Sequence, residues 1–192
     1  MAAENVRKIR GRASYRVIHA NAALFRGAGC VSCPRHVNSP TDLIANPDAV
    51  VLDFSAASGE EAIRVLQERL GAVGGAVTDT PLFLADLLER AQVASVCIAA
   101  DVALPHARTA AVERMVLAVG RAVGDVVFDP EHPHVRLVFL IGTPKEAVTD
   151  YLKLVAALSR WLKTPATRAA LLAAPTEKEF RALLARGANL KR

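Results

Sequence analysis

The run Arg136-Leu137-Val138-Phe139-Leu140-Ile141 constrains this chain more than any other stretch. It is apolar from Leu137 onward and offers no polar face, so a strand here has to be covered on both sides. Helix signals capable of supplying that cover lie on either side of it. Ser58-Gly59-Glu60-Glu61 is a capping box, in which the Ser58 hydroxyl and the Glu61 carboxylate satisfy free N–H groups at a helix start. Ile63, Leu66 and Leu70 continue it as an apolar helical stripe that stops at Gly74-Gly75. Thr80-Pro81 opens a second helix, with threonine as cap and proline at the first helical position. Leu84, Leu87 and Leu88 line that helix, and Arg90 falls in its last turn, where the helix dipole favours a cation.

Beyond the apolar run, Thr143-Pro144-Lys145-Glu146 reads as another capping box. It opens a helix to about Leu162, with Val148, Tyr151, Leu152, Val155, Leu158 and Leu162 on one face. Thr164-Pro165 starts a short helix, and Thr176-Glu177-Lys178-Glu179 caps the last one. Val50–Phe54, Met115–Val119 and Val126–Phe128 read as further strands, and residues 93–104 as extended or looped. Strands and helices interleaved in this way predict an α/β fold whose sheet carries helices on both faces.

Residues 1–40 lack any sustained period and contain Gly-Arg, Gly-Ala-Gly and Ser-Pro breakers, so they read as a basic extension, poorly ordered or loosely packed. The folded body is expected over residues 41–192. The extension holds seven basic residues from Arg7 to Arg35 against Glu4 alone, a net +6, while the rest of the chain sums to −1. The high overall pI therefore describes a tail, and no specific nucleic-acid partner is expected. Apolar residues at 52 % against 22 % charged exclude a largely disordered chain. No run reaches the length of a membrane span and no secretory segment opens the chain, so the expectation is a cytoplasmic protein without membrane insertion. The three cysteines give no disulfide framework. Cys30, Cys33 and His36 have metal-ligand spacing, but only His19 is close enough in sequence to suggest a fourth ligand, so no metal is expected.

The chemistry concentrates where Val102-Ala103-Leu104 runs into Pro105-His106 and then Ala107-Arg108. Proline fixes its own φ and biases Leu104 toward extended backbone, so His106 sits on a stiff strand end with its ring free to face a pocket. Neutral imidazole is a nucleophile near pH 7 and can carry a phosphoryl group covalently. Sixteen positions upstream, Arg90 offers a planar cation for phosphate oxygens. His132 and His134 flank Pro133 in a loop and read as surface residues, and Cys97 as a small residue of the pocket wall.

The run Glu89 to Arg108, ERAQVASVCIAADVALPHAR, resembles the active-site stretch of the fructose/mannitol-type (type-2) enzyme IIA domains. These belong to the bacterial phosphoenolpyruvate-dependent phosphotransferase system, including its nitrogen-related branch. VVLDFSAASGEEAIRVL and RLVFLIGTPKEAVTDYLKLVAAL resemble the family's opening strand and helix and its later strand and long helix. The resemblance implies an α/β sandwich around a mixed sheet and a phosphotransferase activity with no cofactor. It makes His106 the phosphorylated residue, with Arg90, Ser95 and the backbone amides near residues 95–100 supporting the phosphate. Phosphate would come from a small HPr-like phosphocarrier protein and pass to a transporter subunit or a regulatory target. No transporter segment or sugar-binding segment is visible, which favours regulation over uptake.

The chain departs from the family pattern at three places. Val96-Cys97-Ile98-Ala99-Ala100-Asp101 stands where the family shows Thr-Gly-Ile-Gly-Asn-Gly, so three glycines that permit close approach to phosphate are lost. Asp101 would repel a phosphoryl group if it pointed inward. Ala91 replaces the glutamate that usually follows the arginine. Tyr151 stands before Leu152 where the family has a second, supporting histidine; a phenol donates a hydrogen bond but carries no positive charge at neutral pH. The alternative reading is a non-catalytic regulatory module that binds proteins through an eroded phosphate pocket.

Overall fold

The structure is a computed structural model that describes residues 40–73 and 75–189. Apart from Pro40, the expected basic extension lies outside these residues, as do Cys30, Cys33, His36 and His19. The elements run α1 (Pro40–Ala45), β1 (Ala49–Phe54), α2 (Gly59–Val73), α3 (Thr80–Val93), β2 (Cys97–Ala99), β3 (Val102–Ala103), β4 (His106–Thr109), β5 (Val116–Val126), β6 (Val135–Pro144), α4 (Val148–Leu162), α5 (Pro165–Ala173) and α6 (Glu177–Asn189).

The apolar run lies in β6, the middle of a six-stranded mixed sheet. β5 pairs antiparallel along one edge of β6, and β3 and β4 follow one another in parallel along the other. β1 lies parallel to β5, and β2 antiparallel to β3, giving the order β1-β5-β6-β3-β2. Alternation along the strands sorts their side chains to two cores. Val138 and Leu140 of β6, with Val116 and Ala118 of β5, meet Leu66, Leu70, Phe83 and Leu87 of α2 and α3. Leu137, Phe139 and Ile141, with Leu117 and Val119, meet Leu43, Leu154, Leu158, Phe180 and Leu184 of α1, α4 and α6. Each large side chain buried in this way contributes roughly 1.5–3 kcal/mol relative to leaving it exposed. The sheet carries helices on both faces, as the continuous apolar run demands.

Local chemistry moved several boundaries. At α2 the Glu61 N–H donates to the Ser58 hydroxyl at 3.2 Å, while the Glu61 carboxylate reaches one residue further back than expected, accepting from the Ala57 N–H at 2.8 Å. The cap of α3 is Asp79, whose carboxylate accepts from the Leu82 N–H at 3.0 Å, so Thr80 and Pro81 already lie inside the helix. The strand expected at 115–119 runs on as β5 to Val126, and Val127 and Phe128 of the second expected strand lie outside it. Gly120-Arg121 does not break it, because the buried Arg121 guanidinium is occupied: it donates to Asp53 at 2.8 Å and to the Leu172 carbonyl at 3.2 Å, and also to that of Ala174.

The capping box expected at Thr143 is not formed. β6 continues through Pro144, pairing Thr143 with Arg108 and Pro144 with Thr109, and α4 starts at Val148 without a side-chain cap. The inward face of α4 is accordingly turned from the expected one: Leu154, Ala157, Leu158 and Leu162 are buried, whereas Leu152 is 57 % exposed. α1 is too short for its periodicity to register in the sequence, yet Leu43 and Ile44 are fully enclosed.

Gly142 controls how closely α3 approaches the sheet. It lies opposite Ala107 of β4, and a Cβ there would come within 2.6 Å of the Phe83 ring and 2.9 Å of Val116. Two small residues side by side thus let α3 settle over β4. Gly124, on the exposed part of β5, has open space where its Cβ would be. Gly142→Ala is therefore expected to lose about 1–3 kcal/mol in urea denaturation by overpacking, whereas Gly124→Ala should stay within about 0.5 kcal/mol of the natural chain. Equal effects of the two would contradict this packing.

Candidate functional site

β3 and β4 keep the same register against β6 across the two residues between them: Val102 lies opposite Leu137, and His106 opposite Ile141. Pro105 has no N–H to give the ladder, but its carbonyl accepts from the Ile141 N–H at 2.9 Å. The Leu104 N–H donates to the Val96 carbonyl at 2.7 Å. The backbone is thus tied on both sides of the proline. His106 begins β4 from this anchored position.

The His106 ring folds back so that Nδ1 lies 2.8 Å from the Leu104 carbonyl oxygen. A carbonyl only accepts, so this contact places the ring proton on Nδ1 and leaves the Nε2 lone pair available. Burial lowers the pKa of the half-buried imidazole from its ordinary 6.5; the Leu104 hydrogen bond opposes that shift, and the Arg90 charge adds to it. The net direction keeps the ring uncharged, and hence nucleophilic, at neutral pH.

His106 faces a cavity of about 420 Å³ whose walls include Arg90, Arg108 and Tyr151, together with the acidic Asp86 and Glu89. Arg90 arrives from the last turn of α3, where its guanidinium donates to the Ala94 carbonyl at 3.4 Å. Arg108 arrives through the alternation of β4: Ala107 and Thr109 are buried, so His106 and Arg108 share the opposite face. Among the described residues neither arginine forms an ion pair. The Tyr151 ring stands 5.4 Å from that of His106, centroid to centroid, tilted by 40°. Burial raises its phenol pKa, only partly offset by Arg90 and Arg108, so its O–H remains a donor at neutral pH. Of the expected site residues the fold brings His106, Arg90 and Tyr151 together. It adds Arg108, which the period-two offset from His106 signals in the sequence.

Ser95 does not join them. Its hydroxyl donates to Asp129 at 2.7 Å and accepts from the Cys97 N–H at 3.3 Å, which draws it to a second cavity, of about 490 Å³. None of residues 95–100 lines the His106 cavity. Asp101 also points elsewhere, held by Arg168 of α5 at 2.6 Å. His134 is exposed and paired with Asp125, as a surface histidine should be; His132 is largely covered and lies 2.8 Å from Asp129.

Comparison with known proteins agrees with this architecture. Residues 43–187 match the family model for the phosphoenolpyruvate-dependent sugar phosphotransferase system, EIIA 2. The chain is 31 % identical over 139 residues to the fructose-specific EIIA component of Haloferax volcanii, covering 72 % of this chain and 90 % of that one. It is 32 % identical over 142 residues to the 2-O-alpha-mannosyl-D-glycerate-specific EIIABC component of Escherichia coli; that match covers 71 % of this chain but only 21 % of the longer relative. Its fold resembles that of mannitol enzyme IIA of Escherichia coli, solved as a complex with phosphorylated mannitol enzyme IIB. There the TM-score is 0.62 and the identity 23 %, covering 72 % of this chain and 95 % of that one. With the family match spanning most of its length and the relatives bearing it out, the chain belongs to the type-2 EIIA family of the phosphoenolpyruvate-dependent sugar phosphotransferase system.

Proposed function

We propose that this domain is a phosphocarrier in which Nε2 of His106 accepts a phosphoryl group from the phosphohistidine of an HPr-like protein. The observation carrying this reading is the Nδ1 contact with Leu104, which leaves Nε2 as the unprotonated nitrogen. In the transfer, the Nε2 lone pair attacks phosphorus and an N–P bond forms as the donor's P–N bond breaks. The donor ring recovers its lone pair, and the His106 proton stays on Nδ1. No metal is needed for this exchange between two rings. Positioning and electrostatic stabilisation carry the catalysis.

A bound phosphoryl group brings roughly two negative charges. Arg90 and Arg108 supply the matching cations, and the Tyr151 phenol donates one hydrogen bond. Arg108 thereby offsets part of what is lost when tyrosine replaces the family's second histidine. Asp86 and Glu89 balance the two arginines before phosphate arrives. Of the departures that suggested an eroded pocket, the lost glycines, Asp101 and Ala91 lie away from this cavity and only Tyr151 lines it, which weakens the case for a purely protein-binding module. The onward acceptor is an EIIB-like transporter subunit or a regulatory target. The pairing of mannitol enzyme IIA with phosphorylated IIB supports the first. No helix among the described residues is long and apolar enough to cross a membrane.

Incubation with phosphoenolpyruvate, enzyme I and HPr is expected to add one acid-labile phosphoryl group, lost in His106→Ala and retained in His134→Ala. Arg90→Ala and Arg108→Ala should each slow labelling at least about tenfold, the effect of removing roughly 1.4 kcal/mol of transition-state stabilisation. Undiminished labelling of His106→Ala would overturn the assignment, and no labelling of the natural chain would favour the binding module. The ring itself should titrate below 6.5, because burial and Arg90 both disfavour the imidazolium. Followed by ring-proton chemical shift, its midpoint should rise in Arg90→Ala. A midpoint above 6.5 in the natural chain, or a fall in the variant, would contradict these electrostatics.

A further inference from the structure

We propose that Cys97, Asp129 and His132 form a zinc site with a fourth coordination position left open. Among the described residues they are the one group of three whose ligand atoms, Sγ, a carboxylate oxygen and a ring nitrogen, all lie within 4.8 Å of one another. They come from two separate segments: Cys97 opens β2, and Asp129 and His132 lie in the connection between β5 and β6. The Ser95 hydroxyl ties the segments together through its 2.7 Å bond to Asp129.

The donor set selects the ion. Calcium and magnesium take oxygen ligands, whereas a thiolate, an imidazole and a carboxylate together suit zinc, with tetrahedral geometry. Three protein ligands leave one position for water or an exchangeable anion. Of the three, Asp129 also lines the cavity of about 490 Å³, so the group borders an open pocket on that side. All three ligands are half-buried, so an ion here would be partly shielded from water. The loop is shaped in advance: Asp129 accepts from the Glu131 and His132 N–H groups at 3.0 and 2.9 Å, and the His132 carbonyl accepts from the Phe128 N–H at 3.2 Å. The Ser95 bond to the other Asp129 oxygen holds the carboxylate from behind, the usual place of an orienting partner.

Metal binding would reverse the local bias of the thiol. Burial, with Asp129 adding to it and the Ser95 hydrogen bond opposing, pushes Cys97 up to about 11, so it carries its proton until a cation arrives. As the Zn–S bond forms, the S–H bond breaks and the proton passes to solvent. In the structure His132 Nδ1 donates to Asp129 at 2.8 Å; zinc would take that nitrogen's lone pair once the Nδ1 proton is lost to solvent and the ring is reprotonated on Nε2. This site is separate from the His106 cavity and does not depend on its phosphoryl chemistry.

Cobalt is the spectroscopic probe, used on the full chain carrying Cys30→Ser and Cys33→Ser so that Cys97 is the sole thiol. One equivalent of Co²⁺ should give the visible absorption of tetrahedral cobalt and a thiolate-to-cobalt charge-transfer band, both abolished by excess Zn²⁺. Adding Cys97→Ser should remove the charge-transfer band, and His132→Ala should weaken binding at least about tenfold. A protein that keeps its thermal transition but shows no charge-transfer band would overturn the proposal, as would a band that survives Cys97→Ser.

Discussion

The Leu104 carbonyl, 2.8 Å from His106 Nδ1, is the constraint on which the functional reading rests. It is the residue just before Pro105, so its direction is set by the proline and by the two backbone bonds that bracket it, Leu104 to Val96 and Ile141 to Pro105. A neutral hydrogen bond of this kind is worth about 0.5–1.5 kcal/mol net. That suffices to bias one tautomer over the other by up to about tenfold. The strand therefore does more than present a histidine. It decides which nitrogen is nucleophilic, and β6, buried between two cores, supplies the rigidity that makes the decision hold.

The electrostatics around the ring follow from two geometries that meet at the cavity. A helix end delivers Arg90, and strand alternation delivers Arg108, from directions that bring both to the same cavity. The burial of the imidazole and the Arg90 charge both favour its neutral form. Tyr151 adds a donor whose own ionisation is pushed upward by burial. The cavity thus sets permanently charged arginines and a neutral phenol beside the imidazole.

Much of the fold was legible because the apolar run from Leu137 to Ile141 permits only a covered strand, and because the Ser58 and Thr176 caps announce their helices. The Leu-Pro-His motif likewise pointed to the His106 cavity. What remained hidden depended on distant partners. Arg121 carries β5 through an apparent break because Asp53 and two carbonyls at the end of α5 receive it, and no local pattern announces such a bond. Thr143-Pro144 has the letters of a cap but lies in a strand, because the β4 edge is there to pair with it. Ser95 was expected at the phosphate, yet Asp129, far along the chain, draws it away. Arg108 could have been found from its offset of two from His106 alone.

The most direct test is nitrogen-15 NMR of the histidine rings in the natural chain, before and after phosphorylation by HPr. At neutral pH the account predicts an uncharged His106 with its proton on Nδ1, and after transfer a phosphoryl group bonded to Nε2. A ring protonated on Nε2, or a phosphoryl group on Nδ1, would contradict it.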